Sequence, residues 1–447
     1  MNRLFGTSAW TASARRLPVV IALLAALGMA CRRPAPSETE TQKPDTPEAS
    51  AASAAVATDA AVATGTSDPR DGGIATTASS PTPEPPEPAL EGALFTKQVQ
   101  AAFRVAGCGG DDSFIPAHID KELVDAHCAT LTSSYDEYRR EWLDVAVPFI
   151  AKLRPAELPT TVVYPFGGGD LVSALATFPD ATEITTISLE IAGDVRAIDK
   201  ADKKRLGSEL TQLRDHLGKL FLKAHSRTVN LDIETHGAIP GEVAYTMAAL
   251  VIHGYEPITL RYFAFAPDGS VEWLTEEAIA KDHRRGRQGP FANAEIRFRK
   301  RGESKVRALR HVAFDLSDGS LRSAPFLLKH LKAKGKVAAM TKAASYLLWD
   351  DAHFSVIRDY LMKNTDWMIS DTTGVPPRIA KKHGFVQDVY GAFERPEPFG
   401  PVNNADAKAY SDLFKTATPI SFRYGYPDDK SRGHIVVTRK PEVVAKH

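Results

Sequence analysis

One stretch of the sequence combines glycines and carboxylates in an order that suits nucleotide binding. A predicted strand over residues 162–166 runs into a turn of three glycines, Gly167, Gly168 and Gly169. Asp170 follows the turn, and a short helix leads to a second strand that ends at Glu190. Glycines let the backbone approach a ligand, and an acid about 20 residues further on accepts hydrogen bonds from ribose hydroxyls. The alternative is a tight turn that binds nothing, in which the glycines serve only the backbone.

A second polar group stands at the end of a later strand, where the sequence continues with Asp371, Thr372 and Thr373. Ligands of open α/β sheets bind beyond the carboxyl ends of the strands. We therefore expect a ligand site at these residues, which Asp170 and Lys342 would join. The alternative is an Asp/Thr turn that caps the next helix.

Basic residues are concentrated between positions 281 and 310, where eleven Lys or Arg stand against three acids. Ile296 and Phe298 alternate with Arg297 and Arg299, which predicts a strand with one buried and one cationic face. Such a face suits an anionic component of a cell envelope, either lipid headgroups or polysaccharide, or an acidic protein. The alternative is a solvated sheet edge that charge protects from aggregation.

The first 31 residues have the features of an export signal. Three arginines precede an apolar run from Leu17 to Ala30, which is shorter than the ~20 residues that a membrane crossing needs. The sequence Leu27-Gly28-Met29-Ala30-Cys31 resembles the lipobox of bacterial lipoproteins, which implies a lipid on Cys31 and a membrane anchor. A plain secretory signal cut after Ala30 is the alternative. Both interpretations predict an exported protein of the bacterial cell envelope, facing the periplasm or the exterior, where nucleic acid is not an expected partner.

Residues 32–92 differ in composition from the rest of the chain. They lack aromatic residues, are rich in Ala, Pro, Thr, Ser and Glu, and carry ten acids against four bases. So little apolar surface cannot offset the conformational entropy lost on folding, which predicts a disordered tether. The zero net charge of the 447-residue chain therefore combines a basic signal, an acidic tether and a mildly basic remainder.

From residue 93 onwards the hydrophobic pattern predicts a folded protein. Residues 93–158 form a helical segment in which we expect a disulfide between Cys108 and Cys128, with two buried thiols as the alternative. Residues 159–447 alternate strand and helix patterns, which predicts an α/β fold with a mixed or largely parallel sheet and flanking helices. The predicted strands include residues 337–349 and 420–426. No metal site or cofactor is predicted, since common motifs of metalloproteases, serine hydrolases and phosphate-binding loops do not occur in the sequence.

Two resemblances bear on the folded part. The glycine turn resembles the first motif of the class I S-adenosylmethionine-dependent methyltransferases, although Tyr164 or Pro165 replaces the acid of that motif and the glycines are contiguous. This implies a nucleotide-binding fold that has lost its cofactor. Segments such as 164–167, 314–318 and 370–376 resemble an uncharacterised family of exported bacterial proteins, which implies one folded unit and no known activity.

These observations favour a membrane-tethered envelope lipoprotein whose α/β domain binds a ligand or partner. The rival hypothesis is an exported hydrolase or transferase that uses Asp170, Glu190 or Asp371 as acid or base, with no nucleophile identified. The two hypotheses differ in geometry. Convergence of Asp170 and Asp371 on one deep pocket beside a lysine or histidine would favour the enzyme, and two carboxylates that only cap turns would favour binding.

Overall fold

Ten strands form one continuous sheet at the centre of the structure. In chain order they are β1 (Thr161–Pro165), β2 (Glu183–Ser188), β3 (Tyr255–Phe265), β4 (Val271–Trp273), β5 (Asn293–Lys300), β6 (Val306–Ala313), β7 (Ala338–Thr341), β8 (Trp367–Ser370), β9 (Val386–Gly391) and β10 (His434–Arg439). The computed structural model describes residues 89–223, 237–393, 404–425 and 433–445. The predicted signal, Cys31 and all but the last four residues of the predicted tether lie outside these residues.

The described residues contain twelve α-helices. They are α1 (Thr96–Val105), α2 (Lys121–Tyr138), α3 (Asp144–Leu153), α4 (Leu171–Thr177), α5 (Lys203–Lys223), α6 (Gly241–Ile252), α7 (Glu276–Lys281), α8 (Asp318–Ser323), α9 (Phe326–Ala333), α10 (Ser355–Asn364), α11 (Pro377–Lys382) and α12 (Asn404–Leu413). A single π-helical turn, Arg139–Leu143, joins α2 to α3.

The sheet is mixed, with the strand order β4-β3-β5-β6-β2-β1-β7-β8-β10-β9. The five central strands β6, β2, β1, β7 and β8 are parallel. Strand β10 lies antiparallel between β8 and β9, and β5, β3 and β4 extend the other side with antiparallel pairing. The predicted α/β fold with a mixed sheet and flanking helices is confirmed.

The chain reverses its direction of progress across the sheet at β1. Strand β2 is added on one side of β1, and β7 on the other. In open α/β sheets such a switch point, at the carboxyl ends of the strands, is where ligands bind. All five central strands end at the same edge, which we call the carboxyl edge.

Apolar side chains cover both faces of the sheet. Because successive strand residues point to opposite faces, Val162 and Tyr164 of β1 join one core, and Val163 between them joins the other. The first core also contains Val99 and Leu131 from the N-terminal helices. The helical segment 93–158 therefore packs on the sheet, and the described residues belong to one compact unit.

The expected disulfide between Cys108 and Cys128 is present and joins the loop after α1 to helix α2. Two predicted strands differ from the structure. The strand predicted over 337–349 is reduced to β7, and residues 420–425 are irregular. None of the described helices combines the length and the apolar composition that a membrane crossing needs.

Candidate functional site

The glycine turn joins β1 to α4 at the switch point of the sheet. Gly168 has φ +43°, a conformation that favours glycine, and a Cβ on Gly167 would lie 2.6 Å from the Tyr164 ring. Asp170 begins α4, and its carboxylate accepts a hydrogen bond from the Ser173 N–H. The turn is therefore explained by local packing and helix capping.

The negative charge of Asp170 is balanced by a lysine inside the protein. Its Oδ2 lies 2.6 Å from the Nζ of Lys342 and accepts a hydrogen bond of 2.8 Å from the Tyr164 hydroxyl. Lys342 also donates to the Ser173 hydroxyl at 2.5 Å, and only 2% of its side chain is exposed. The expected meeting of Asp170 and Lys342 is found, but as a buried ion pair whose members already have partners.

Asp371 is fully buried and holds two loops in place. Its Oδ1 accepts from the N–H and hydroxyl of Thr373 at 2.9 and 2.5 Å, and its Oδ2 accepts from the N–H of Ala343 at 2.8 Å. Gly425 packs against the same carboxylate, because a Cβ there would lie 1.9 Å from Oδ2. Asp371 thus connects the loop after β8 to the loop after β7.

The two threonines after Asp371 are also engaged in the protein interior. The hydroxyl of Thr372 lies 2.8 Å from His434 Nε2, and its carbonyl accepts from the indole N–H of Trp349. The hydroxyl of Thr373 accepts from the N–H of Ala344 at 2.7 Å. The expected group Asp371, Thr372 and Thr373 therefore forms, but its contacts link separate loops in the interior. It does not cap the next helix, whose N-cap residue is Pro376 with no side-chain cap, so that alternative is wrong.

The loop after β7 carries backbone strain that the sequence pattern did not reveal. Three non-glycine residues, Ala343, Ser345 and Tyr346, have φ between +51° and +60°. Such conformations cost about 1–3 kcal/mol each and persist where their surroundings determine them. Here the hydrogen bonds from the Ala343 N–H to Asp371 and from the Ala344 N–H to Thr373 provide that support.

The carboxyl edge at β1 and β2 leaves little room for a ligand. A cavity of about 60 Å³ is lined by Phe166, Ser188, Leu220, Tyr245 and by Gly167, Gly168, Gly169, Asp170 and Glu190. The glycine turn and Glu190 thus meet as expected. Small-molecule sites usually enclose about 300–1,000 Å³, so a nucleotide does not fit this cavity. Asp371 does not line it.

A buried charge pair near Glu190 was not predicted. The Nδ1 of His311 lies 3.3 Å from Oε1 of Glu242, and its Nε2 lies 2.9 Å from the carbonyl oxygen of Glu190. Burial lowers the pKa of His311, but the Glu242 carboxylate outweighs this and the net shift is upward. His311 stands on β6 and Glu242 on α6, so no local sequence pattern connects them.

Most bases of the 281–310 segment have partners inside the protein. Strand β5 pairs with β3 and with β6, so the sheet-edge alternative for this strand is wrong. Ion pairs or hydrogen bonds involve Lys281 with Glu277, Arg284 with Asp282, Arg299 with Glu256, Lys300 with Glu303, Arg310 with Glu183 and Glu295, and Arg307 with the carbonyls of Pro179 and Ala181. Arg297 is also engaged.

Four exposed bases of the segment differ from these. The side chains of Arg285, Arg287, Arg301 and Lys305 make no hydrogen bond or ion pair with any residue that the structure describes. Arg301 and Lys305 lie at the turn between β5 and β6. Arg285 and Arg287 lie in the segment before β5, which we call the arginine loop (residues 282–290).

The arginine loop stands at the carboxyl edge, because β5 runs antiparallel to β6 and begins beside its end. Gly286, with φ +61°, and a backbone hydrogen bond from Gly289 to Gly286 shape the loop. Two backbone hydrogen bonds, each of 3.0 Å, connect the residues that follow it to the loop after β2: Ala192 N–H to Ala292 and Gly193 N–H to Phe291.

A groove lies on each side of the arginine loop. The first, of about 550 Å³, has an aromatic wall that includes Phe263, Phe265, Phe314 and Phe326, and we call it the phenylalanine groove. The second, of about 710 Å³, includes Ile191, Pro240, Pro290 and Phe291, and we call it the proline groove. Both volumes lie within the range of small-molecule sites.

Comparison with known proteins adds no family. No protein-family model matches the chain, and neither the curated proteins nor the solved structures gave a similar protein. The site is therefore interpreted from its own chemistry.

One group of side chains has the spacing of metal ligands among the described residues: Cys108, His127 and Cys128. Both sulfurs are joined in the disulfide. The Nε2 of His127 lies 3.1 Å from the carbonyl oxygen of Ala106, and its Nδ1 lies 3.0 Å from a guanidinium nitrogen of Arg214. This group does not fit a metal ion.

Proposed function

We propose that this protein is an exported, lipid-anchored protein of the bacterial cell envelope whose α/β domain binds an anionic envelope component at the arginine loop. The export signal and the lipobox-like sequence at Cys31 support the location. The acidic segment 32–92 then serves as the tether between the lipid and the domain.

The observation that carries the binding site is the pair of unpartnered arginines between two grooves. Arg285 and Arg287 keep their positive charge at the carboxyl edge, the edge where open α/β sheets bind ligands. An exposed guanidinium with no carboxylate beside it is free to bind phosphate or carboxylate groups with two parallel hydrogen bonds. The grooves supply concave surface for the remainder of the ligand.

The rival function, hydrolysis or group transfer, has less support. Asp170 and Asp371 approach the same segment, 342–343, but Lys342 neutralises the first and backbone N–H groups saturate the second. Lys342 and Ser173 have the residue types of a Ser–Lys hydrolase. However, both are buried, and the nearby cavity of about 60 Å³ cannot hold a substrate.

The sheet supports descent from a nucleotide-binding protein without supporting nucleotide binding. The parallel order β6-β2-β1-β7-β8 is the doubly wound order of nucleotide-binding α/β sheets, and the glycine turn resembles the first motif of the class I methyltransferases. In this chain the cavity next to the glycines is lined by Leu220 and Tyr245 and measures only about 60 Å³. We infer that the sheet of a nucleotide-binding ancestor was retained and that ligand binding moved from the glycine turn to the arginine loop.

The proposal is tested with the full chain carrying Cys31→Ala, so that no lipid contributes to binding. Two anionic materials serve as probes: soluble dextran sulfate and vesicles that contain phosphatidylglycerol. We expect at least one to bind, with an affinity that falls as salt is added. The double variant Arg285→Met/Arg287→Met should lose this binding, whereas Arg301→Met/Lys305→Met should retain it.

The second double variant is a matched control, because it removes two exposed, unpartnered bases of the same segment at the opposite edge of the sheet. Equal losses in the two variants would show that net charge alone drives binding. That result, or the failure of both probes to bind, would refute the proposed function.

A further inference from the structure

In the proline groove every acidic side chain is paired with a basic one, which distinguishes this groove from the phenylalanine groove. Two aspartates line it, Asp194 and Asp282. Asp194 is paired with Arg196 at 2.8 Å, and Asp282 with Arg284 at 2.7 Å. The remaining charge at this groove is therefore the positive charge of Arg285.

The wall of the proline groove is largely apolar. It includes the side chains of Ile191, Pro240, Pro290 and Phe291, together with the backbone of several glycines. One face of the Phe291 ring is covered by the Arg196 guanidinium, whose carbon lies 4.8 Å from the ring centre. A ligand with only polar groups would not be stabilised by this wall. A hydrocarbon chain would be, because its apolar surface would be removed from water.

An exposed leucine, Leu189, begins the loop after β2, the loop that Ala192 and Gly193 connect by backbone hydrogen bonds to the residues following the arginine loop. Leu189 follows the last residue of β2 and stands two positions before Ile191, which lines the groove. It is 49% exposed, and so it is one of the few large apolar side chains at the surface of the described residues. An apolar side chain beside arginines is the composition of a surface that inserts at the lipid–water interface.

Taking the proposed function as its basis, we infer that the anionic component is a phospholipid and that this edge of the domain docks on a membrane surface. The phosphate of the headgroup binds Arg285 and Arg287, an acyl chain enters the proline groove, and Leu189 inserts beside it. Charge and apolar surface together select the lipid over two other anions. A polysaccharide has no hydrocarbon chain to fill the groove. An acidic protein has no phosphate joined to a hydrocarbon chain.

The first test measures sedimentation of the full chain carrying Cys31→Ala with vesicles. Vesicles of equimolar phosphatidylglycerol and phosphatidylcholine are compared with vesicles of phosphatidylcholine alone, which report any binding by the apolar signal sequence. Each arginine near an anionic surface strengthens partitioning about five-fold. We therefore expect Arg285→Met/Arg287→Met to weaken binding about 25-fold and Arg301→Met/Lys305→Met to leave it nearly unchanged.

The second test asks whether the apolar surface enters the membrane. In Leu189→Trp the exposed position becomes a fluorophore, and vesicles with brominated acyl chains quench a tryptophan that inserts. We expect stronger quenching than in the parent chain, whose own tryptophans set the background. Leu189 is about half exposed and does not belong to the core clusters, so this variant should fold.

The outcomes separate this inference from the proposed function. Binding of dextran sulfate that requires Arg285 and Arg287, with no binding to anionic vesicles, would overturn the lipid and leave the proposed function standing. If the chain with both arginines intact binds neither dextran sulfate nor anionic vesicles, the proposed function and this inference are both refuted. Vesicle binding without extra quenching at position 189 would overturn the insertion and restrict the contact to the headgroup.

Discussion

At the residue scale, Lys342 decides whether the carboxylate at the switch point is neutralised. Substituting Lys342→Met leaves Asp170 buried without its counter-charge, and we expect a loss of about 3–5 kcal/mol in the free energy of unfolding. Urea denaturation measures this loss. The double variant Lys342→Met/Asp170→Asn should recover most of it, because no unpaired charge remains. A single variant as stable as the parent chain would contradict the role given to this pair.

Three buried histidines predict the pH dependence of stability. Burial lowers the pKa of His127, His253 and His330 to about 4, from 6.5 in the unfolded chain. Between these values the unfolded chain binds more protons, so the free energy of unfolding falls as the pH drops from about 6.5 towards 4. The slope approaches about 4 kcal/mol per pH unit if all three contribute fully.

Urea denaturation as a function of pH checks this expectation. In His253→Asn the number of protons taken up on unfolding should fall by about one in this pH range, and the slope should fall in proportion. His311 acts in the opposite direction, because its raised pKa contributes stability that is lost as the pH rises above 6.5. Stability should therefore be greatest near neutral pH. An unchanged slope in His253→Asn would show that this imidazole is charged in the folded protein.

At the element scale, the disulfide fixes the first two helices against each other. Cys108 and Cys128 are 20 residues apart, and closing a loop of that length restricts the unfolded chain by about 3 kcal/mol. Cys108→Ser/Cys128→Ser should lower the free energy of unfolding by that amount. A reductant should lower the urea midpoint of the parent chain and leave the variant unchanged. An equal effect of reductant on both chains would contradict this account.

Local pattern predicted the type of most elements, but it predicted one strand too long and another, over residues 420–426, where the described residues 420–425 are irregular. The strand predicted over 337–349 stops at Thr341, because Asp371 accepts a hydrogen bond from Ala343 and holds the following residues in a left-handed turn. The hydrophobic pattern of residues 343–349 instead reflects burial of Tyr346 and Trp349 in a small core. A contact between residues 28 positions apart leaves no trace in a local pattern.

At the scale of the whole molecule, alternation of strands and helices predicted the fold class but not the strand order that creates the switch point. The same pattern placed Asp170, Lys342 and Asp371 together, because the carboxyl ends of parallel strands share an edge. It could not show that Lys342 and Asp170 pair with each other in the protein interior. The arginine loop was missed for a related reason, since only the structure shows which of the eleven bases have partners.

The proposed lipid anchor concerns the whole chain and has its own test. Cys31→Ala removes the side chain that the lipobox-like sequence would modify, so the protein should move from the membrane fraction to the soluble fraction when cells are fractionated. Washing with high salt removes the contribution of the arginine loop to membrane binding. Unchanged fractionation after that wash would refute lipidation at Cys31.

The central claim is that the ligand binds at the arginine loop and not at the glycine turn. Hydrogen–deuterium exchange measured with and without anionic vesicles tests it most directly, in the full chain carrying Cys31→Ala. We predict protection of peptides that cover residues 282–292 and 189–194, with no change at 167–173 or 342–346. Protection of the glycine turn, with none at the arginine loop, would contradict the account.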